Sequence, residues 1–202
     1  MSAAPDDEPI ARLYLIAPGD APADRVTAAL AAGDVACLLL HGAGAASRPL
    51  VEAAQALGCA VLLEDDAGLA RELGADGVHL GPGGHVKQAR KTLPEDAIVG
   101  AFCGHSRHEA MLAGEAGADY VAFAGREDSA DAAADPALLA WWQTMMELPC
   151  VAMGPIGLAE VGALVEAGAD FVALEAAVWD HPDGPAAAVA EAQRRLEAAE
   201  RG

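Results

Sequence analysis

Eight short apolar runs punctuate the chain, at Arg12–Ala17, Ala36–Leu40, Ala60–Glu64, Gly77–Leu80, Ile98–Phe102, Tyr120–Ala124, Cys150–Gly154 and Phe171–Glu175. Each is short, apolar and bounded by turn residues, which is the signature of a strand buried on both faces. Between them lie segments of helical composition, Ala21–Ala32, Pro49–Leu57, Asp66–Leu73, His85–Leu93, Arg107–Ala116, Pro136–Glu147 and Leu158–Ala167, and Pro185–Ala199 follows the last strand. Eight alternations of strand and helix predict an α/β chain folded as a (β/α)8 TIM barrel, one compact domain over residues 12–200. A doubly wound open sheet is the alternative, but it seldom uses eight equal units with so little insertion. Residues 1–11 are read as a disordered leader, because Asp6, Asp7 and Glu8 stand where a signal peptide would need basic and then apolar residues.

One stretch recurs. Gly74-Ala75-Asp76-Gly77-Val78-His79-Leu80-Gly81 returns as Gly117-Ala118-Asp119-Tyr120-Val121-Ala122-Phe123 and as Gly168-Ala169-Asp170-Phe171-Val172-Ala173-Leu174. Each copy closes a helix and turns into a strand. Gly33, Gly58, Gly74, Gly117 and Gly168 are expected to take left-handed conformations after helices, and Asp76, Asp119 and Asp170 to be turn residues on the stability face of the barrel.

Hydrophobic residues make up 53% of the 202 residues and aromatic residues only 4%, so the core is aliphatic. The 12 Lys and Arg against 31 Asp and Glu give a net charge of −19, which argues against nucleic acid or an anionic membrane as partner. No apolar run approaches the ~18–20 residues of a membrane span, and a soluble, cytoplasmic protein is expected. Cys37, Cys59, Cys103 and Cys150 lack the spacing of a disulfide or zinc framework and read as buried small hydrophobes, with Cys103 beside Gly104 and His105 as a minority candidate nucleophile. Trp141 and Trp142 are expected to divide between core and surface, and homo-oligomerisation stays open.

A barrel gathers its chemistry where the strands end. Those ends carry His41 after the second strand, Glu64, Asp65 and Asp66 after the third, and Cys103 and His105 after the fifth. Arg126, Glu127 and Asp128 follow the sixth strand in the polar loop 125–135, Gly154 and Pro155 follow the seventh, and Glu175 ends the eighth. His79 lies inside its strand and is expected to be a hydrogen-bonded interior histidine. Asp65 could serve either a metal or the N-cap of the next helix.

Asp76-Gly77-Val78-His79-Leu80-Gly81, preceded by Glu64-Asp65 and followed by Val151-Ala152-Met153-Gly154-Pro155-Ile156, resembles the thiamine phosphate synthase family and its thiazole tautomerase relatives. The similarity runs through residues 12–195. The resemblance implies a (β/α)8 barrel that joins a pyrimidine methyl pyrophosphate to a thiazole phosphate with Mg2+ and releases pyrophosphate. It implies Asp65 as a Mg2+ ligand; His41, Glu64, His105, Arg126, Gly154 and Glu175, taken from the strand ends, are the candidate substrate-binding residues.

The chain departs from the family pattern at several of these positions. Glu64 replaces the Asn before the metal Asp, and Pro82-Gly83-Gly84 replaces a Gln-x-Asp that supplies a second carboxylate. Leu38-Leu39-Leu40-His41 lacks the cations of a Gln-x-Arg-x-Lys strand, Phe102 stands at the serine after Gly100, and the segment after Gly125 lacks the family's Thr-x-Thr-Lys. Gly154-Pro155-Ile156 replaces Gly-Gly-Ile, and Glu175-Ala176 replaces Val-Ser. Ionising a pyrophosphate ester draws on positive charge, so these changes predict weak or absent synthase activity. Two further readings are a non-catalytic or regulatory barrel with a small-molecule pocket, and a metal-assisted enzyme built on Glu64, Asp65, His41 and His105.

Overall fold

In a computed structural model, residues 11–124 and 133–201 are described. The elements run β1 (Arg12–Pro18), α1 (Ala23–Leu30), β2 (Val35–His41), α2 (Arg48–Gln55), β3 (Ala60–Glu64), α3 (Ala67–Leu73), β4 (Gly77–Leu80) and α4 (Val86–Thr92). They continue with β5 (Ile98–Phe102), α5 (Arg107–Glu115), β6 (Tyr120–Phe123), α6 (Pro136–Met145), β7 (Cys150–Ala152), α7 (Val161–Glu166), β8 (Phe171–Leu174), α8 (Ala176–Trp179) and α9 (Pro185–Glu200). The strands are all parallel and close in sequence order, β1 pairing with both β2 and β8. The chain is a (β/α)8 TIM barrel, as the alternation predicts.

Period-two alternation sorts the strand residues into two shells. One set, including Leu13, Leu15, Leu38, Leu40, Val61, Leu63, Val78, Val99, Val121 and Phe123, packs outward against the helices. The other, Tyr14, Leu39, Leu62, Tyr120, Ala122, Val151, Met153 and Ala173, fills the barrel interior. Two helices begin on a proline, Pro136 and Pro185, where the missing N–H costs nothing. Asp66, Ser106 and Asp135 cap α3, α5 and α6 through backbone N–H groups at 2.8, 3.2 and 2.9 Å.

The recurrent aspartates have a common task. Asp76 Oδ2 accepts the Val61 N–H at 2.7 Å, Asp119 Oδ2 the Val99 N–H at 2.6 Å, and Asp170 Oδ2 the Cys150 N–H at 2.7 Å. Each carboxylate therefore reaches back from the start of an even-numbered strand to the start of the odd-numbered strand before it. Backbone groups continue the lacing: Ile98 donates to the Asp76 carbonyl at 2.8 Å, and Arg12 to that of Asp170 at 3.0 Å, which closes the barrel.

Several expectations are corrected. Gly58, Gly74, Gly117 and Gly168 do take positive φ, but Gly33 does not. Gly33 is constrained by packing instead, since a Cβ there would lie 3.0 Å from Val189 Cγ1. The predicted helix Leu158–Ala167 divides into a 3-10 turn, Leu158–Glu160, and the short α7. The sequence pattern missed α8, which is a single turn, too short to show a period. The proposed leader lies outside the described residues except for Ala11, which is buried in the core. Trp142 is fully buried, donating from Nε1 to the Leu148 carbonyl at 2.7 Å, whereas Trp141 lies under the Arg107 guanidinium at 4.1 Å.

Candidate active site

The interior-facing positions that end each strand define the mouth. By alternation these are Pro18, His41, Glu64, Gly81, Phe102, Ala124, Met153 and Glu175. Their loops are tied together. Gly19 donates to the His41 carbonyl at 2.8 Å, and the Ser47 hydroxyl donates to the Gly19 carbonyl at 2.7 Å. Met153 donates to Phe123 at 2.8 Å, and Ala134 to Met153 at 3.0 Å.

Asp65 sits between β3 and β4 with φ +56°, the one described non-glycine residue with positive φ. Its N–H donates to the His79 carbonyl at 3.0 Å, and its Oδ1 accepts the Gly81 N–H at 2.7 Å. The N-cap reading of Asp65 is thereby corrected: Asp66 caps α3, and Asp65 is turned toward the end of β4. A left-handed conformation in a non-glycine residue persists where the surroundings over-determine it, and such residues gather at functional sites.

His41 and Glu175 meet across the β1 end of the mouth, Nε2 to Oε1 at 3.6 Å, with both side chains exposed. Glu64 is exposed and pairs in register with His79. His105 points its Nε2 at the Ala133 carbonyl, 3.3 Å away, strapping the β5 loop to the segment before α6. Gly154 has φ +112°, and its carbonyl accepts the Ile156 N–H at 2.8 Å. Arg126, with Glu127 and Asp128, lies outside the described residues. Among the described residues no three His, Cys, Asp or Glu side chains converge to hold a metal, so Glu64, Asp65, His41 and His105 do not form the metal set one reading required.

Cys103 is corrected as a nucleophile. It is buried, its thiol donates to the Ala101 carbonyl at 3.4 Å, and burial pushes its pKa up to about 12. His79 is the expected interior histidine. Burial, partly opposed by the nearby Asp65 charge, pushes its pKa down to about 4, so the ring is neutral.

Two clefts flank the mouth. One of about 370 Å³ is lined by Pro18, Asp20, Arg25, Glu175, Trp179 and Asp180, with Arg25 donating to the Trp179 carbonyl and Trp179 Nε1 donating to the Ile16 carbonyl at 2.5 Å. The other, about 340 Å³, includes Gly81, Gly83, Gly84, His85, Lys87 and Cys103. Arg25 and Lys87 bring cations to the rim, and the sequence reading passed over the first because Trp179, its partner, belongs to the unforeseen α8. It passed over Tyr14 and Tyr120 as ordinary strand residues. Their signal was available: they are the chain's 2 tyrosines, and both fall on interior-facing positions.

A sequence model of the family described as thiamine monophosphate synthase matches residues 13–178. The chain belongs to the thiamine monophosphate synthase family. The thiamine-phosphate synthase of Rhodospirillum centenum is 46% identical over 200 residues, covering 91% of this chain and 96% of the relative. That of Hyphomonas neptunium is 47% identical over 202 residues, covering 90% and 91%. Among solved structures, thiamine phosphate pyrophosphorylase from Pyrococcus furiosus superposes with a TM-score of 0.82 at 23% identity, covering 95% of this chain and 98% of that one, a likeness of fold. No helix among the described residues is long and apolar enough to cross a membrane.

Proposed function

We propose that the chain is a cytoplasmic transferase of thiamine biosynthesis that joins a pyrimidine methyl group, carried as its pyrophosphate, to a thiazole phosphate, at a rate held down by the carboxylates in its mouth. The C–O bond to pyrophosphate breaks with its electron pair leaving on oxygen, and the thiazole nitrogen lone pair forms the new C–N bond. The observation that carries this reading is Asp65, held in a costly backbone conformation with its carboxylate fixed beside Gly81. The near full-length similarity to relatives named thiamine-phosphate synthase supports it.

Mg2+ is commonly bound by one or two carboxylates together with substrate phosphates and water, rather than by an all-protein cage. A mouth in which the Asp65 carboxylate is held by a backbone N–H, with no three-residue metal set among the described residues, fits an ion that arrives with the pyrophosphate. Asp65 Oδ1 is engaged by Gly81, which leaves Oδ2 for the ion. When bound, the ion would neutralise charge developing on the leaving group. Arg25 and Lys87 stand at the two rim clefts to draw in the phosphates, while Glu64 and Glu175 oppose them.

Incubating the protein with Mg2+, the pyrimidine pyrophosphate and the thiazole phosphate, and measuring thiamine phosphate together with released pyrophosphate, tests the proposal. Absence of both products at high enzyme concentration would overturn it. A second reading, a barrel that binds an uncharged or cationic ligand without transfer, draws on the exposed carboxylates of Glu64 and Glu175 at the strand ends. It expects a rise in melting temperature with the thiazole alcohol and none with the thiazole phosphate.

A further inference from the structure

Below the mouth, the barrel interior holds a polar chain that the transfer reaction leaves unused. The Tyr14 and Tyr120 hydroxyls are 3.1 Å apart, and the Tyr120 hydroxyl is 2.8 Å from His79 Nδ1. All three side chains are buried. The register pairs His79 with Gly100 and Gly100 with Tyr120, so one glycine separates the two rings in the row. A Cβ on Gly100 would lie 2.0 Å from Tyr120 Cζ. The bare glycine lets the tyrosine ring cross β5 and stack on His79 with centroids 5.7 Å apart.

Two hydroxyl protons and one imidazole proton are shared along this chain, and its two polarities satisfy them unequally. With the imidazole proton on Nδ1, His79 would donate to Tyr120 and Tyr120 to Tyr14. The Tyr14 proton would then face the Cys37 thiol, a weak acceptor. With the opposite polarity, Tyr14 donates to Tyr120, Tyr120 donates to Nδ1, and His79 carries its proton on Nε2. A buried hydroxyl without a strong acceptor is costly, so the second polarity is favoured. Nε2 has no protein partner among the described residues. No fully buried side-chain nitrogen or oxygen among them lacks a partner, so Nε2 keeps some accessible surface, and His79 stands on the interior face one row below Gly81.

We propose that Tyr120 is a positioning residue: it fixes the His79 proton on Nε2 and so presents an N–H donor at the floor of the mouth to an acceptor atom, such as a ring nitrogen, of the bound ligand. The identity of that ligand rests on the function proposed above; the position of the proton does not.

Long-range 1H–15N NMR of the histidine-labelled full chain at pH 7 reads the tautomer directly. The expected result is the Nε2–H form for His79 in the wild type. In Tyr120→Phe that preference should fall at least tenfold, whereas Tyr14→Phe, which removes an equally buried hydroxyl without touching His79, should retain it. An Nδ1–H tautomer in the wild type, or an undiminished preference in Tyr120→Phe, overturns the proposal, and the wild-type spectrum decides the proton's position even where a variant does not fold. Saturation with the pyrimidine pyrophosphate should move the His79 Nε2 resonance. No movement, with the Nε2–H tautomer intact, overturns the ligand-facing role. A negative transferase assay with the tautomer in place counts against the proposed reaction alone.

Discussion

Asp65 reaches Gly81 by adopting a φ of +56°, and its Oδ1 accepts the Gly81 N–H at 2.7 Å. Asparagine tolerates the left-handed region and keeps an acceptor oxygen, so Asp65→Asn should change stability by no more than about 1 kcal/mol. It loses the charge a Mg2+ ion would meet, and transfer should fall on the order of tenfold or more. Asp65→Ala loses the acceptor as well and keeps the strain, at a cost of about 1–3 kcal/mol. Urea unfolding beside the thiamine phosphate assay separates the two effects. An Asn variant as active as wild type would remove Asp65 from the ligand site.

Gly100 is where the interior chain is most easily broken. A Cβ there would fall on the Tyr120 ring, so Gly100→Ala should destabilise the fold by about 2–3 kcal/mol or more. The coupling is specific: in a Tyr120→Ala background the same substitution should cost far less, because the overlapping ring is gone. A double-mutant cycle measured by chemical unfolding checks this, and additive costs would contradict the packing account.

The barrel was legible from the sequence because eight apolar runs each match a buried strand, from Arg12 to Leu174, and glycines 58, 74, 117 and 168 punctuate them. Side-chain direction was less so. Asp65 and Asp66 are adjacent acids before one helix, and only the backbone decides which caps it and which turns to Gly81. Tyr14 and Tyr120 lie 106 residues apart, and their contact depends on barrel closure together with the space Gly100 leaves. Arg25 became a rim residue only because α8, a single helical turn, brings the Trp179 carbonyl to it.

Asp170 tests whether the recurrent motif is scaffold. Its carboxylate accepts the Cys150 N–H at 2.7 Å and lies at the amino-terminal end of the strands, opposite the mouth. Asp170→Ala leaves that N–H unpaired and should cost about 1–3 kcal/mol. Ligand affinity per folded molecule should stay unchanged. Calorimetric titration at a temperature where the variant is fully folded checks this, and a loss of affinity would mean that the base of the barrel communicates with its mouth.

His79 should make stability depend on pH. Its folded-state pKa is lowered from 6.5 to about 4 by burial. Between those values the unfolded chain binds a proton that the folded chain does not, so stability rises with pH across the window and is lost as pH falls from about 6.5 to about 4. The loss attributable to this residue is about 3 kcal/mol. His79→Gln should flatten the dependence by one proton over that window. Unfolding free energies from pH 4 to 8 for both proteins check it, and parallel curves would show that His79 is not the group responsible.

Glu175 and Glu64 set the sign of the field that an anionic substrate meets. Glu175 lies 3.6 Å from His41, and with Asp20 it faces the same cleft as Arg25, so the cation there is outnumbered. Removing one exposed carboxylate about 4 Å from a phosphate oxygen relieves about 1 kcal/mol of repulsion in a water-like medium, roughly fivefold in affinity. Glu175→Gln and Glu64→Gln should each lower the KM for the phosphorylated substrates by roughly that factor. The gain should shrink as salt rises from 0.01 to 0.15 M, because screening shortens from about 30 to about 8 Å. If KM is unchanged at low salt, the phosphates bind away from these carboxylates, and the slow rate proposed for this mouth needs a different cause.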